Sequence, residues 1–258
     1  TCLISPTGRM RALALVLPND NGADLLVLAG DAAAVHANLD RVLFPADRVR
    51  LGEPQAAQLV RWIGHPHPTD NSAGLLKPGV DLGAGAGLPA LLLRLGDTMP
   101  AWLAELPELT AEQVEQLRLQ QGFPSGPGEL NDSTNPFELG LCDWVSLNKG
   151  CYVGQETLAK LATYDGVKQQ LRYWRTPLAG PSVAAGCSPG TNLLTPAGER
   201  AGVISSMLAT ENGLEGLALV RRAALEQQEL LVANGGGVPI SLTLHVPKGF
   251  VSPPVRGS

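Results

Sequence analysis

Residues 149–156 read KGCYVGQE and bring a cation, a thiol, an amide and a carboxylate together in a chain otherwise rich in Leu and Ala. If the segment WVSLNKGCYV is extended, its period of two puts Lys149 and Cys151 on one face, with the ammonium beside the sulfur. Gly154 then permits a turn, and QETLAKLA starts a helix whose first free N–H groups carry partial positive charge. Both effects favour thiolate over thiol, the form in which cysteine is reactive. An inert thiol packed at a strand end is the competing reading, since most cysteines simply pack. Glu156 also reads two ways, as a ligand-binding carboxylate or as a first-turn acid that complements the helix dipole. Cys142 lies upstream and is a second thiol that a fold could bring towards Cys151.

The elements that must position these groups are drawn from 258 residues, 44% hydrophobic and 17% charged, with a formal net charge of -5. Such a chain has room for two domains, or for one large domain with an appended module. Nothing resembles the basic stripe that phosphate backbones require, so direct nucleic-acid binding is not expected. An anionic small ligand needs only two or three convergent cations. The cysteines, Cys2, Cys142, Cys151 and Cys187, show no CxxC spacing and are too few for a disulfide framework, which points to a reducing, cytoplasmic compartment. No apolar run reaches the roughly 18 residues of a membrane span, so no membrane partner is expected. The expected state is a monomer.

Along the chain, CLIS and RALALVL flank the turn PTG and predict a hairpin; ADLLVLAG adds a third strand, and Asp31 is a natural N-cap for a helix through AAAVHANLDRVL. The order is that of an α+β fold. Residues 64–90 are dense in Pro, Gly and turn formers and read as loop with short strands, followed by a buried strand at ALLLRLGD. Thr110 and Gln113 have capping-box spacing, and Gly122 stops the helix they open. From Tyr164 onward, short apolar runs such as AGVISSML, GLALV and the pair in ELLVANGGGVPISLTLHV alternate with turn residues, the pattern of a small antiparallel barrel. The expected organisation is an α+β region over 1–164, a β-barrel over 165–248 and a flexible tail over 249–258.

Two weaker motifs carry little. GAGAG at 83–87 lacks the GK[ST] ending of a P-loop and the spacing of GxGxxG, and reads as a structural turn. His65 and His67 share a face of HPHP, but no carboxylate or cysteine stands at ligand spacing, so they read as a solvent loop and no metal site is expected.

KGCYVGQE resembles the signature of the YgfZ family, folate-binding proteins related to the glycine-cleavage T-protein, an aminomethyltransferase, and implicated in assembly or repair of iron–sulfur clusters. The likeness extends to LRLQQGFP at 117–124, to LNDSTNPFELGL, to TYDGVKQQLR, to AGVISSM with GLALVRR, and to the opening TCLISPTGRMRALALVL with RVLFPADRVRL. It implies a T-protein-like folate-binding α+β region followed by a C-terminal barrel. The family's preceding strand and helix have no counterpart here, and the span at 64–90 is short, so the first region is expected to be truncated and the second lobe abbreviated. The resemblance further implies tetrahydrofolate as cofactor, iron–sulfur proteins as clients, and only an indirect link to tRNA modification.

Within that frame Cys151 becomes the reactive centre, with Lys149 as its charge partner. Glu138 and Gln155 are candidates for the amino-pyrimidine edge of a pterin, and Trp144 and Tyr152 for its wall. Glu156 joins this set. Arg118, Arg9 and Arg172 are candidates for bidentate contact with a glutamate tail. A cluster shared with Cys142 would still lack the four thiolates such clusters usually take. The rival is the aminomethyltransferase itself. Its acidic pair after a Gly-Gly turn is replaced by Arg11 and Ala12 in GRMRAL, and a guanidinium cannot accept a proton at neutral pH. Gln120 stands for the glutamate of its LRLEAG, and Cys151 has no counterpart there. A degenerate protein with an incomplete pocket is the third possibility.

Overall fold

A computed structural model describes residues 1–64, 75–76, 90–233 and 238–254. The GAGAG run, His65, His67, most of the 64–90 loop, the glycine turn at 235–237 and residues 255–258 lie outside that set.

Strand β1 (Cys2–Ile4) and β2 (Met10–Asn19) form the expected hairpin, with Gly8 in the turn at φ +70°, and β3 (Gly22–Ala29) pairs antiparallel to β2. Helix α1 (Ala32–Val42) follows, capped by Asp31, whose Oδ1 accepts the N–H groups of Ala33 and Ala34 at 2.9 and 3.1 Å. A second antiparallel sheet contains β4 (Ala57–Arg61), β5 (Leu75–Leu76) and β6 (Ala90–Arg94) in the order β4-β6-β5. It packs on the first sheet through Leu15, Leu26, Leu59 and Ala90.

A short helix α2 (Ala101–Ala104) leads to α3 (Ala111–Gln121). The capping box of α3 is formed as expected: Thr110 Oγ1 accepts Gln113 N–H at 3.2 Å, and Thr110 N–H donates to Gln113 Oε1 at 2.9 Å. Then come α4 (Gly126–Glu129) and α5 (Gln155–Thr163).

The remaining strands are β7 (Gln169–Thr176), β8 (Asn192–Leu194), β9 (Arg200–Thr210), β10 (Gly213–Arg221), β11 (Glu229–Val232) and β12 (Ile240–His245), with α6 (Pro181–Gly186) between β7 and β8. These six strands close an antiparallel barrel in the order β10-β7-β12-β11-β8-β9. Strand β10 is buried from Gly213 to Val220 because alternate residues serve two cores. Leu214, Ala218 and Val220 fill the barrel with Trp174, whereas Leu217 and Leu219 pack outward against Met10, Leu119 and Phe123.

A charged knot ties α3 and α4 to the barrel wall. Arg118 donates to Phe123 O at 2.7 Å and Ser206 Oγ at 3.2 Å, and lies 3.7 Å from the fully buried carboxylate of Glu129. Ser206 Oγ–H donates to Glu129 Oε1 at 2.7 Å.

The segment expected to be a flexible tail is docked over residues 248–251. Lys248 and Gly249 N–H groups donate to Gln120 O and Gln121 O at 2.9 and 3.0 Å, and Val251 N–H donates to Gly140 O at 2.9 Å. Phe250 packs on the core that holds Leu119 and Leu139. One aromatic ring with free helix-end carbonyls beside it is enough to anchor a stretch that shows no periodicity.

Arg118 keeps a bidentate pair with Glu115 at 2.7 Å, so loss of Glu129 chiefly leaves the Ser206 hydroxyl and the Ser125 N–H without their acceptor. Glu129→Ala is therefore expected to lower unfolding free energy by about 1–3 kcal/mol in urea titrations; no measurable loss contradicts the role given to this knot.

Candidate functional site

The motif loop departs from the extended form expected for it. Cys142–Trp144 form a 3-10 turn, and residues 147–150 bend before α5 begins. The period-of-two argument for Lys149 and Cys151 therefore does not apply. Lys149 Nζ instead lies over the Tyr152 ring, 4.9 Å from its centroid, a cation–π arrangement.

The loop is shaped by Gln155. Its Oε1 accepts Tyr152 N–H at 3.2 Å, while its Nε2 donates to Leu147 O at 3.1 Å and to Lys149 O at 3.2 Å. The Tyr152 hydroxyl donates to Ser146 O at 2.8 Å. Gly154 has φ +84°, and a Cβ there would stand 2.6 Å from Ser5 O and 2.8 Å from Ile4 Cδ1. Only glycine allows the motif to lie so close to the β1–β2 hairpin.

A cleft of about 630 Å³ opens between β1, α1 and this loop. Its apolar wall includes Ile4, Leu39, Trp144 and Tyr152, and Lys149, Arg11 and Arg41 bring positive charge to it. A smaller cavity of about 360 Å³ adjoins it beside Asp31, Asn131 and Asp132. Size and composition match a small-molecule site, a mostly apolar concavity with a few polar groups.

The residues expected to form a site are thus divided. Lys149, Trp144 and Tyr152 line the cleft. Cys151 is exposed on the loop between two cleft-lining positions, Lys149 and Tyr152. Gln155 is the loop's clamp. Glu156 is on the surface in an i,i+4 pair with Lys160 at 2.7 Å, and the Lys160 hydrogen bond holds its carboxyl below the usual range.

Glu138 is buried in a reciprocal turn, accepting Asn135 N–H at 3.0 Å while Asn135 Oδ1 accepts its own N–H at 3.1 Å. Burial raises its carboxyl above the usual range, opposed by the Asn135 bond, the Gln169 side chain, Arg9 and Lys168. Arg9 donates to Ser133 O at 2.6 Å and approaches Glu138 at 3.8 Å. Arg172 donates to Leu171 O and Gln170 Oε1 and packs on Phe250, while Arg118 belongs to the knot described above.

Sequence reasoning missed Cys2, Asn38 and Arg41, which line the cleft from β1 and α1, and read Arg11 only as a lost base. Burial pushes the Cys2 thiol up to about 12. Cys142 is half-buried and also raised, by burial and then by Asp143. Cys187 is sealed inside the barrel. No metal-ligating cluster of three or more His, Cys, Asp or Glu occurs among the described residues, and no described helix is long and apolar enough to cross a membrane.

The mixed α+β fold with its closed barrel is that of the glycine-cleavage T-protein class. The chain superposes on the crystal structure of glycine cleavage system aminomethyltransferase T from Bartonella henselae with a TM-score of 0.68 at 16% identity, covering 97% of this chain and 76% of that one. No protein-family model matches the chain. It is 28% identical over 252 residues to a chloroplastic transferase-like protein of Arabidopsis thaliana, covering 87% of this chain and 56% of that protein. It is 34% identical over 119 residues to the mitochondrial iron–sulfur cluster assembly factor IBA57 of Mus musculus, covering 45% of this chain and 32% of that factor. The human IBA57 match is 29% over 135 residues, 51% of this chain and 36% of that factor. The chain thus spans about half or less of the length of these curated relatives. Its sequence is thus similar over part of its length to IBA57 factors, and its fold is that of the T-protein.

Two measurements check the site. Gln155→Ala leaves three backbone groups without their partner, so a stability loss of about 1–3 kcal/mol and faster limited proteolysis within 147–152 are expected; unchanged proteolysis contradicts the clamp. In alkylation at pH 8 followed by mass spectrometry, exposed Cys151 is expected to react first. Cys2, with its pKa raised to about 12, stays protonated at that pH and gains reactivity only as pH rises towards that value. Modification of Cys2 ahead of Cys151 contradicts their placement.

Proposed function

We propose that this protein is a tetrahydrofolate-binding accessory factor for iron–sulfur cluster assembly or repair, in which Cys151 is the working thiol. The observation that carries the reading is the cleft of about 630 Å³, walled by Trp144 and Tyr152 and bounded by the same loop that presents Cys151. A reduced pterin with an aromatic tail asks for an apolar wall and a few cations, and the cleft's residues fit that demand. Trp144 and Tyr152 would flank the ring system, and Asn38 offers an amide. When bound, the folate supplies a one-carbon carrier; the chain's own residues bind and orient it. Cys151, outside the cleft and solvent-accessible, would meet a cluster carried by a client protein. One thiolate supplies one of the four ligands such clusters usually take, so the client supplies the others. Similarity to IBA57 factors supports the client class.

Aminomethyl transfer is the weaker reading. Arg11, which the sequence resemblance sets against the carboxylate base of that chemistry, lines the cleft, and its Nε–H donates to Asp132 Oδ1 at 2.9 Å. A guanidinium in an ion pair accepts no proton.

Calorimetric titration with tetrahydrofolate is expected to show saturable binding that Trp144→Ala and Tyr152→Ala each weaken by roughly tenfold or more, given the usual worth of a buried aromatic contact. Cys151→Ala is expected to fold normally yet fail to restore cluster-dependent enzyme activity in cells lacking the protein. Absence of folate binding, or full rescue by Cys151→Ala, sinks the corresponding half of the proposal.

A further inference from the structure

Tyr152 packs on the core cluster of Phe137, Leu158 and Val167, and its hydroxyl donates to Ser146 O at 2.8 Å, so the fold already occupies part of its ring. The same ring lines the cleft, where Lys149 covers it with Nζ 4.9 Å from the centroid. The ammonium has no carboxylate partner among the described residues. At an exposed position a cation–π contact favours the docked lysine over a free one by only about two- to fivefold. A flat ring stacked on Tyr152 would lie within about 4 Å of it, closer than the ammonium does, so cation and ligand cannot hold that face together. Lys149 and Cys151 are both exposed and are separated by one residue, so their Cα atoms lie no more than about 7 Å apart. The lysine stem is of similar length, and an ammonium released from the ring can come to about 6 Å from the sulfur. At that separation in water its attraction favours thiolate over thiol about threefold.

We propose that the contact between Lys149 and Tyr152 is a latch that a flat ligand opens, and that the released ammonium then stabilises the thiolate of Cys151. Filling of the cleft is in this way signalled to the thiol that faces a client protein. The chemical change is loss of the thiol proton to solvent, and no other bond forms or breaks. Pairing of Lys149 with Cys151, as the sequence suggests, and with Tyr152, as the structure shows, are then the two positions of one side chain. This deepens, and rests on, the folate reading of the cleft, but the latch can be tested without a ligand.

The test is the rate at which Cys151 is alkylated at pH 7 and low salt, read by mass spectrometry, with neutral iodoacetamide and anionic iodoacetate as probes. Without ligand, Tyr152→Leu removes the ring and is expected to speed iodoacetamide about twofold and iodoacetate by more, because the lysine is then free all of the time. That gain is expected to vanish when Lys149→Gln is added and to fade as salt rises. Tyr152→Phe keeps the ring and loses the Ser146 bond, so it separates the latch from a loosened loop. An unchanged rate in Tyr152→Leu, a gain that survives Lys149→Gln, or an equal gain in Tyr152→Phe overturns the latch and leaves the folate reading standing. Saturating tetrahydrofolate is expected to accelerate alkylation about twofold in the unsubstituted chain and not in Lys149→Gln. The same variant is expected to bind tetrahydrofolate about threefold more tightly, since no ammonium contests the ring; weaker binding makes Lys149 a ligand contact and contradicts the proposal. Absence of tetrahydrofolate binding removes the folate reading and, with it, the opening of the latch by that ligand.

Discussion

One carboxamide holds the candidate site in shape. Gln155 satisfies Tyr152 N–H and the carbonyls of Leu147 and Lys149, three backbone groups in a stretch that has no ladder or helix of its own. Gly154 completes the constraint by letting the loop lie against Ser5 and Ile4 of the first hairpin. With both ends pinned, the side chains divide. Lys149 and Tyr152 face the cleft, and Cys151 between them faces solvent. The same clamp therefore decides which motif residues can touch a small molecule and which can touch another protein.

The arginines divide in a similar way. A guanidinium taken out of water must be fully paired, so the buried Arg118 and Arg172 are held by acceptors supplied by the fold. Arg118 in particular joins α3, α4 and β9 around Glu129, which positions the barrel against the first region. Arg11 and Arg41 stay on a cavity wall with hydrogen-bonding capacity to spare. Arg11 meets Asp132 through its Nε, whereas the fork of Arg118 is taken up by the fold.

Much of the architecture is legible in local signals. Asp31 and the Thr110–Gln113 pair announce their helices because a cap is satisfied within three residues, and the PTG turn marks its hairpin for the same reason. The short alternating runs after Tyr164 announce the antiparallel barrel, whose closure the structure shows. What escaped has a common cause, dependence on partners far away in sequence. Arg118 looks available until Ser206 is brought beside it, the residues 248–251 look idle until Gln120, Gln121 and Gly140 offer carbonyls, and the cleft draws Cys2, Asn38 and Arg41 from β1 and α1, more than a hundred positions from the octapeptide. The octapeptide differs for another reason: its alternation suggests a strand, but the Gln155 side chain takes up the backbone groups of Leu147, Lys149 and Tyr152 and bends the loop before α5.

Hydrogen exchange of the full chain, followed by mass spectrometry with and without tetrahydrofolate, probes the cleft most directly. Slower exchange is expected in the loop from Trp144 to Val153 and in α1, with the far side of the barrel around β8 and β11 unchanged. Protection confined to the barrel, or no change in the loop and α1 at saturating ligand, would contradict the assignment of this cleft as the folate site.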